Sequence, residues 1–258
     1  MKKQVTVLIP IYQEIPSELE KISLAQTLKV LHKHPITFQA QEDLNIKWYE
    51  DFCEGKAEVS FERFKWKGFQ QYTYLMISPE FYQRFLDYEY ILICHLDAFV
   101  FRDELQKWCE LDYDYIGSVI YNKVWASLSP RSGKFLGLAR PEYFGNGGFA
   151  LKKVAGFHNL TTTFHFRIKL YLWYRKIRKK FFQDDIFLSQ LFPKLIADFK
   201  IPPKSIAQQF GAAFEIWDDR KLPFTKDDST SLPFGIHGWF NHNFEYWKSC
   251  IREHGHVV

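Results

Sequence analysis

Short apolar runs alternate with amphipathic segments along the first half of the chain. The runs are rich in β-branched residues and predict strands over Val5–Ile11, Ile36–Ala40 and Val59–Phe64. Apolar residues at helical spacing predict a helix over Leu19–His32 and another over Gly68–Leu86, the second interrupted near its serine-proline pair. Strands that alternate with helices are typical of a mostly parallel, doubly wound α/β sheet.

The most continuous apolar run, Ile91–Phe101, is interrupted by His95 and Asp97. Such a run predicts a strand buried on both faces, and parallel sheets bind ligands at the carboxyl ends of their strands. Asp97, at the predicted end of this strand, is therefore a candidate to contact a ligand or a metal. The alternative is an aspartate that only caps the following turn.

The second half begins with a predicted strand over Tyr113–Ile120. Residues Tyr121–Tyr143 lose the pattern and are rich in Ser, Pro, Gly and basic residues, which predicts a mobile loop of the kind that forms lids. Gly145–Leu151 then predicts a tight turn and a short strand. Its three glycines would allow the backbone to approach a ligand closely, with a β-bulge as the alternative.

A helix over Phe166–Phe182 follows, with apolar residues on one face and basic residues on the rest of its surface. The apolar face consists of Leu170, Trp173, Tyr174, Ile177 and Phe181. This pattern is typical of a helix that lies on an anionic lipid surface. A helix packed on the core with a solvated basic face is the alternative.

Two further segments carry candidate chemistry. Asp184 and Asp185 open an amphipathic segment, where acids either cap a helix or supply a general base. His237 lies between glycines and before a tryptophan, which places it in a turn, as a structural histidine or as a ligand. We expect His254 and His256, near the terminus, to be frayed.

Composition excludes some classes of protein. The 258 residues carry a net charge of +4, which is too small to indicate nucleic-acid binding, and 19% of them are aromatic. The four cysteines form no close pair, which fits a reducing compartment. No run has the length of a signal peptide or of a membrane span, so we expect a soluble cytoplasmic protein without a targeting peptide.

Six segments in this order resemble the GT-A-fold nucleotide-sugar glycosyltransferases, and most closely a largely uncharacterised bacterial group of that fold. They span most of the chain and read Leu8–Tyr12, Leu96–Phe101, Asp114–Gly117, Asn146–Leu151, Asp184–Phe187 and His237–Trp239. The resemblance implies one GT-A-like (Rossmann-like) α/β domain over residues 1–258, with a mostly parallel central sheet flanked by helices. It further implies a nucleotide-binding half over 1–120 and a donor-sugar and acceptor half over 121–258.

In that family an acidic motif at a strand end holds a divalent cation that bridges the two phosphates of the donor. The resemblance gives this role to Asp97 and lets His237 complete the metal site. A carboxylate and an imidazole suit Mn²⁺ or Mg²⁺, with a slight preference for Mn²⁺.

The resemblance also implies a donor site. The backbone of Gly147 and Gly148 would line the donor sugar, and Asn146 would hydrogen-bond one of its hydroxyls. The nucleotide pocket would include Pro10, Tyr12 and Glu14, with the tyrosine stacking on the base and the glutamate on a ribose hydroxyl. Tyr72 and Tyr74 are further candidates for that pocket.

The acidic pair resembles the family's acceptor-side motif, in which the second acid acts as base in inverting enzymes. This implies that Asp185 is the catalytic base and that Asp184 is its neighbour, which contacts donor sugar or acceptor. Two adjacent carboxylates also tend to raise one pKa, which favours a base.

One position departs from the family pattern, because Phe99 stands where the acidic motif has its second acid. A single aspartate makes a weaker metal site, so the cation would bind together with the donor or be replaced by basic loop residues. Arg131 and Lys134 are candidates for that replacement if the loop closes over the phosphates.

The resemblance thus implies an inverting glycosyltransferase that uses a UDP-sugar and a divalent cation in bacterial surface polysaccharide synthesis. A glycan or a lipid-linked glycan would be the acceptor, at the inner face of the cell membrane and with peripheral contact to anionic lipid. A non-catalytic sugar-nucleotide-binding protein and a sugar nucleotidyltransferase are the alternatives. The second would carry a basic Gly-rich loop after the first strand, where this chain has Tyr12, Gln13 and Glu14.

Overall fold

A computed structural model gives the fold of the chain. It describes residues 2–120, 143, 145–178, 184–185, 187, 196, 198–213, 224–225, 228, 230–242 and 244–258. The predicted loop over 121–142, with Arg131 and Lys134, lies outside the described residues, and so does Phe181.

Nine strands of the described chain form one mixed sheet in the order β3-β2-β1-β4-β7-β6-β8-β9-β5. The strands are β1 Lys3–Ile11, β2 Ile36–Gln41, β3 Val59–Phe64, β4 Tyr88–Cys94, β5 Ala98–Val100, β6 Tyr115–Ile120, β7 Gly145–Lys153, β8 Gly211–Ala213 and β9 Gly235–His237. The pairs β3-β2, β2-β1, β1-β4, β6-β8 and β8-β9 are parallel, whereas β4-β7, β7-β6 and β9-β5 are antiparallel. The predicted mostly parallel α/β sheet is therefore confirmed.

The described helices are α1 Glu18–Leu31, α2 Lys47–Cys53, α3 Gly68–Leu75, α4 Pro79–Gln83, α5 Leu105–Glu110, α6 Val154–Thr163, α7 His165–Ile177, α8 Lys204–Phe210, α9 Trp239–His242 and α10 Phe244–Glu253. Helix α1 starts at a capping box, in which the Ser17 hydroxyl accepts from the Glu20 backbone and the Glu20 carboxylate accepts from the Ser17 amide at 2.7 Å. The interruption between α3 and α4 lies at Ser78, which caps α4 ahead of its proline.

The central strands β1 and β4 are buried on both faces, as their apolar runs predict. One core cluster fills the side of the sheet covered by α1 and α5, and a second fills the side covered by α4 and α6. A third cluster, rich in aromatic residues, joins β5 to α9 and α10 at the carboxyl end of the chain. All four cysteines are buried, and none of them forms a disulfide.

Two expectations need correction. The apolar run at 91–101 is two strands, because β4 ends at Cys94 and a tight turn precedes β5. The C-terminal histidines are packed rather than frayed: the His254 ring lies 5.3 Å from Phe101, and the Nε2 atom of His256 is 2.9 Å from the Gln26 side chain. No helix among the described residues is long and apolar enough to cross a membrane. The division of the chain into two halves stays a prediction.

Candidate functional site

The turn between β4 and β5 presents His95 and Asp97 at the carboxyl end of a central strand. The amide of Ala98 donates to the carbonyl of His95 at 2.9 Å and closes the turn, while the His95 amide donates to the Gly148 carbonyl at 2.8 Å. Because β1 and β4 are parallel neighbours, the end of β1 lies at the same edge of the sheet. The turn therefore projects its polar side chains where α/β sheets bind ligands.

His237 reaches Asp97 from the opposite end of the sequence. Strand β9 pairs antiparallel with β5, with His237 opposite Ala98, and the Nε2 atom of His237 lies 3.0 Å from Oδ1 of Asp97. The chain then turns at Gly238, whose φ of +74° favours glycine, and its amide donates to the backbone carbonyl of Asp97 at 2.9 Å. From α9, the side-chain amide of Asn241 donates to Oδ2 of Asp97 at 2.8 Å.

These contacts set the charges of the cluster. Burial alone would raise the pKa of Asp97, but His237 and the Asn241 hydrogen bond hold it well below its ordinary value, so the carboxylate is ionised. Burial and the neighbouring His237 lower the pKa of His95 to about 4, which keeps this imidazole neutral near pH 7. A neutral imidazole, as at His95, and an ionised carboxylate, as at Asp97, are forms that bind metals.

His95, Asp97 and His237 each offer a ligand atom, and these atoms lie within 4.8 Å of one another. The donor set of two imidazoles and one carboxylate fits a divalent transition metal such as Mn²⁺. The structure thus brings together the two predicted ligands and adds His95. Sequence reasoning noted this histidine inside the apolar run and gave it no role.

Tyr72 of α3 supports His95, since its hydroxyl lies 2.9 Å from the Nε2 atom of the histidine. Burial raises the pKa of the Tyr72 phenol well above its ordinary value, with Asp184, Asp97 and Asp185 adding to the shift, so the phenol stays protonated. A neutral imidazole that binds a metal through one ring nitrogen carries its proton on the other, so the Tyr72 oxygen would orient His95 by accepting from its Nε2–H. Tyr72 therefore contacts the candidate metal cluster directly.

The glycine segment at the start of β7 connects this cluster to the acidic pair. A Cβ atom on Gly148 would lie 2.0 Å from Nε2 of His237, so the imidazole lies directly against the glycine backbone. The Asn146 side chain accepts from the Gly148 amide at 2.8 Å. In the pairing with β6, Gly117 lies opposite Ala150, but the next residue, Ser118, lies opposite Asn146. Residues 147–149 of β7 therefore lie outside the β6 ladder. The predicted turn is thus an irregularity within a strand, close to the β-bulge alternative.

Asp185 lies on the other side of the same segment. Its Oδ2 atom accepts from the Asn146 side-chain amide at 3.2 Å and from the Gly147 amide at 3.4 Å. The glycine segment therefore contacts His237 at Gly148 and Asp185 at Asn146 and Gly147. The predicted donor-lining residues, the acid pair and the Asp97–His237 cluster meet around one short stretch of β7.

Asp184 has a different environment from Asp185. It is 8% exposed, and its Oδ2 atom lies 3.8 Å from the Nζ atom of Lys152, a lysine whose exposure is 0%. This separation is within ion-pair range but too long for a hydrogen bond. Burial raises the pKa of Asp184 while Lys152 opposes the rise, and burial lowers the pKa of Lys152. Lys152 was not predicted, and its only signal is its position directly after the apolar residues Phe149–Leu151 of a predicted strand.

The predicted nucleotide-pocket residues lie at the end of β1. Pro10 is buried within the strand opposite Gln39, Tyr12 follows the strand and is 55% exposed, and Glu14 is exposed in the next turn. Burial, followed by the neighbouring Glu20 carboxylate, raises the pKa of Tyr12. Their roles toward a nucleotide stay predictions.

Phe99 explains the departure from the acidic motif in structural terms. Its side chain is 0% exposed and packs 5.4 Å from Phe101 and 6.2 Å from Trp239, in the aromatic cluster beneath the turn. The position therefore faces the core, and the Asp97 cluster contains one carboxylate.

Comparisons with known proteins identify the family and the fold. A family model described as "Protein of unknown function (DUF5672)" matches residues 58–237, which contain both the strand-end cluster and the glycine segment. No curated protein matches the chain.

Several solved structures share the fold. The galactosyltransferase LgtC, in complex with donor and acceptor sugar analogues, superposes with a TM-score of 0.59 at 13% identity and covers 98% of this chain and 97% of its own. Mouse xyloside xylosyltransferase 1 gives a TM-score of 0.53 at 9% identity, covering 95% and 99%. The glycosyltransferase GlyE of Streptococcus pneumoniae TIGR4 gives 0.51 at 18% identity, covering 98% of this chain and 63% of that one. The chain thus has a GT-A, glycosyltransferase-like fold.

Proposed function

The chain belongs to the family described as Protein of unknown function (DUF5672), and we propose that it transfers a glycosyl group from a nucleotide-diphospho-sugar to a hydroxyl acceptor. The observation that carries this proposal is the contact of one glycine segment with both chemical groups, His237 through Gly148 and Asp185 through Asn146 and Gly147. A donor sugar lying along this segment would have its diphosphate and its acceptor on opposite sides. The shared fold supports the same activity.

In the proposed reaction, the acceptor hydroxyl attacks the anomeric carbon as its proton passes to the Asp185 carboxylate. A new carbon–oxygen bond forms, the bond from the anomeric carbon to the diphosphate breaks, and the nucleoside diphosphate leaves with the electron pair. Asp185 suits the base because its carboxylate is held by two hydrogen bonds and is partly exposed, whereas Asp184 is buried against Lys152. Asp184 then serves to hold the acid pair in place.

Asp97, His237 and His95 would hold a divalent cation, Mn²⁺ or Mg²⁺. When bound, such an ion neutralises negative charge on the leaving diphosphate. Asn241 and Tyr72 would orient the ligands by hydrogen bonds to Asp97 and His95. Tyr12 and Glu14, at the end of β1, would contact the base and the ribose of a uridine nucleotide.

The experiment is a thermal-shift panel of nucleotide-sugars with and without Mn²⁺, followed by a transfer assay with the donor that binds best. A native donor should raise the melting temperature, because a ligand that binds only the folded state stabilises it. Asp185→Asn should abolish transfer and leave donor affinity nearly unchanged. Near-wild-type turnover of this variant, or retained configuration at the anomeric carbon of the product, would refute the role of Asp185.

A non-catalytic sugar-nucleotide-binding protein is the second candidate, and the buried Phe99 favours it, since the metal cluster has one carboxylate. Donor hydrolysis without acceptor, followed as released nucleoside diphosphate, separates the two. An enzyme releases the diphosphate slowly and loses this activity in Asp185→Asn, whereas a binding protein shows a thermal shift and no release.

A lipid-linked glycan acceptor in bacterial surface polysaccharide synthesis remains part of the proposal. Its structural support is the basic, aromatic helix α7, which packs against the segment that follows the acidic pair: Tyr171 stacks on Phe187 with ring centroids 5.4 Å apart. Phe187 lies two residues after Asp185.

A further inference from the structure

Helix α7 has two apolar faces. One face packs on the protein, with Ile168 6% exposed and Tyr171 stacked on Phe187. The other face is open: Phe166, Leu170, Trp173 and Ile177 are 78%, 53%, 60% and 57% exposed. At about 100° per residue these four side chains project to the side opposite Ile168.

The exposure of these side chains distinguishes the two alternatives that the sequence left open, a helix on a lipid surface and a helix whose apolar face packs on the core. Four of the five residues that the sequence grouped on one face, Leu170, Trp173, Tyr174 and Ile177, are described and exposed, so packing on the core does not account for them. Four adjacent large apolar side chains, two of them aromatic, form a continuous exposed stripe along three turns of helix. Such a stripe on a folded protein indicates an interaction surface.

The charges beside the stripe identify its partner. Residues 165–178 contain five basic residues and no acidic residue: Arg167, Lys169, Arg175, Lys176 and Arg178. On the helical projection, Lys169 and Lys176 flank one side of the stripe, and Arg167 and Arg178 flank the other. An apolar stripe bordered on both sides by cations complements the headgroup region of an anionic bilayer.

We propose that α7 docks on an anionic membrane surface, with Phe166, Leu170, Trp173 and Ile177 in the interfacial region and the flanking lysines and arginines among the headgroups. The packed face of the same helix contacts Phe187 of the acid-pair segment. Docking would therefore bring Asp185 close to the bilayer, where a lipid-linked acceptor presents its hydroxyl. This last step rests on the proposed function, whereas the docking itself does not.

The test is flotation of the full chain with vesicles of phosphatidylcholine containing 30% phosphatidylglycerol, and with pure phosphatidylcholine. We expect binding to the anionic vesicles, weaker binding to the neutral ones, and release as NaCl rises from 50 to 500 mM. Leu170→Ser should reduce the bound fraction at least fivefold. The matched control is Leu111→Ser, because Leu111 is also an exposed leucine, at 43%, and lies on another part of the surface.

The electrostatic contribution to membrane docking is tested with two double variants. Lys169→Glu/Lys176→Glu should weaken binding to anionic vesicles at least tenfold, since each cation near such a surface contributes about fivefold and this variant removes two. Lys47→Glu/Lys56→Glu changes the net charge equally at exposed positions elsewhere and should have a small effect. Equal loss in both pairs would show a nonspecific effect of net charge and overturn the assignment to α7.

Two further outcomes would overturn the proposal. Absence of binding to anionic vesicles at 50 mM NaCl is the first. Concentration-dependent dimerisation that Leu170→Ser abolishes, without vesicle binding, would assign the stripe to a second copy of the chain. Neither measurement uses a donor or an acceptor, so failure here leaves the proposed transfer activity to its own assay.

Discussion

Replacing Gly148 by alanine is expected to move the His237 imidazole and weaken divalent-cation binding. The added Cβ would lie 2.0 Å from Nε2, 2.3 Å from Cδ2 and 2.7 Å from Cε1 of His237, all below the 3.0 Å at which such contacts begin to occur. The ring or the strand must therefore shift by about 1 Å, since packed interiors have no spare volume at such contacts. A shift of that size separates His237 from Asp97, which it contacts at 3.0 Å.

The expected loss of Mn²⁺ affinity follows from the role of His237 as a candidate metal ligand. Disturbing the orientation of a metal ligand typically costs about 10- to 100-fold in metal affinity. A displacement of about 1 Å at a reacting centre can cost about 100-fold in turnover. We therefore expect the Mn²⁺ dissociation constant of Gly148→Ala to rise by about 10- to 100-fold in titration calorimetry. The melting temperature without metal should change by a few degrees, because the obstructing atoms belong to a side chain.

Gly147→Ala is the matched control. A Cβ atom there would lie 3.4 Å from Cβ of Asp185 and 3.7 Å from Oδ2 of Asp184, which are ordinary contacts, so Mn²⁺ affinity should stay within about twofold of wild type. The decisive comparison is a double-mutant cycle with His237→Ala. If Gly148→Ala weakens Mn²⁺ binding as much without the imidazole as with it, the clash does not act through His237 and the reasoning is refuted.

Three other predictions concern the same site. Lys152→Met should lower the free energy of unfolding by about 3–5 kcal/mol in urea titrations, because it leaves the buried Asp184 carboxyl without its ion-pair partner, and adding Asp184→Asn should restore most of that loss. If the double variant were no more stable than the single one, the buried pair would not be the cause. Mn²⁺ should raise the melting temperature of wild type and not of Asp97→Ala; equal shifts would exclude Asp97 as a ligand. Asn241→Ala should weaken Mn²⁺ binding about tenfold through loss of its hydrogen bond to Asp97, and an unchanged affinity would make that bond irrelevant to the metal.

The first half of the fold could be predicted because its elements have strong local patterns. Strand β1 and helix α1 follow directly from a buried apolar run and from leucines at helical spacing. Helix α2 at Lys47–Cys53 and helix α5 at Leu105–Glu110 were missed, since seven and six residues are too few to establish a period. The antiparallel insertion of β7 between β4 and β6 was also beyond the sequence, because pairing is set by tertiary packing.

The residues of the candidate site also differ in how strongly the sequence indicates them. Asp97 and His237 carry a signal, an acid at a strand end and a histidine between glycines, and the structure brings them together. Asn241 and Lys152 carry almost none: an asparagine near a helix start and a lysine in a strand occur commonly at surfaces. Their significance comes from burial and from partners 144 residues away for Asn241 and across the site for Lys152.

The phenylalanine at position 99 has a consequence for how the cation would bind. A cluster with one carboxylate and two imidazoles has one negative charge fewer than a cluster with two carboxylates, so its electrostatic attraction for Mn²⁺ is weaker. A donor diphosphate would supply the missing negative charge, and each ligand would then increase the affinity for the other by the same factor. Mn²⁺ titrations with and without UDP should therefore show tighter binding of the ion when the nucleotide is present. UDP titrations should show the same ratio when Mn²⁺ is added, and a Mn²⁺ affinity that UDP leaves unchanged would mean that the ion and the diphosphate do not share this cluster.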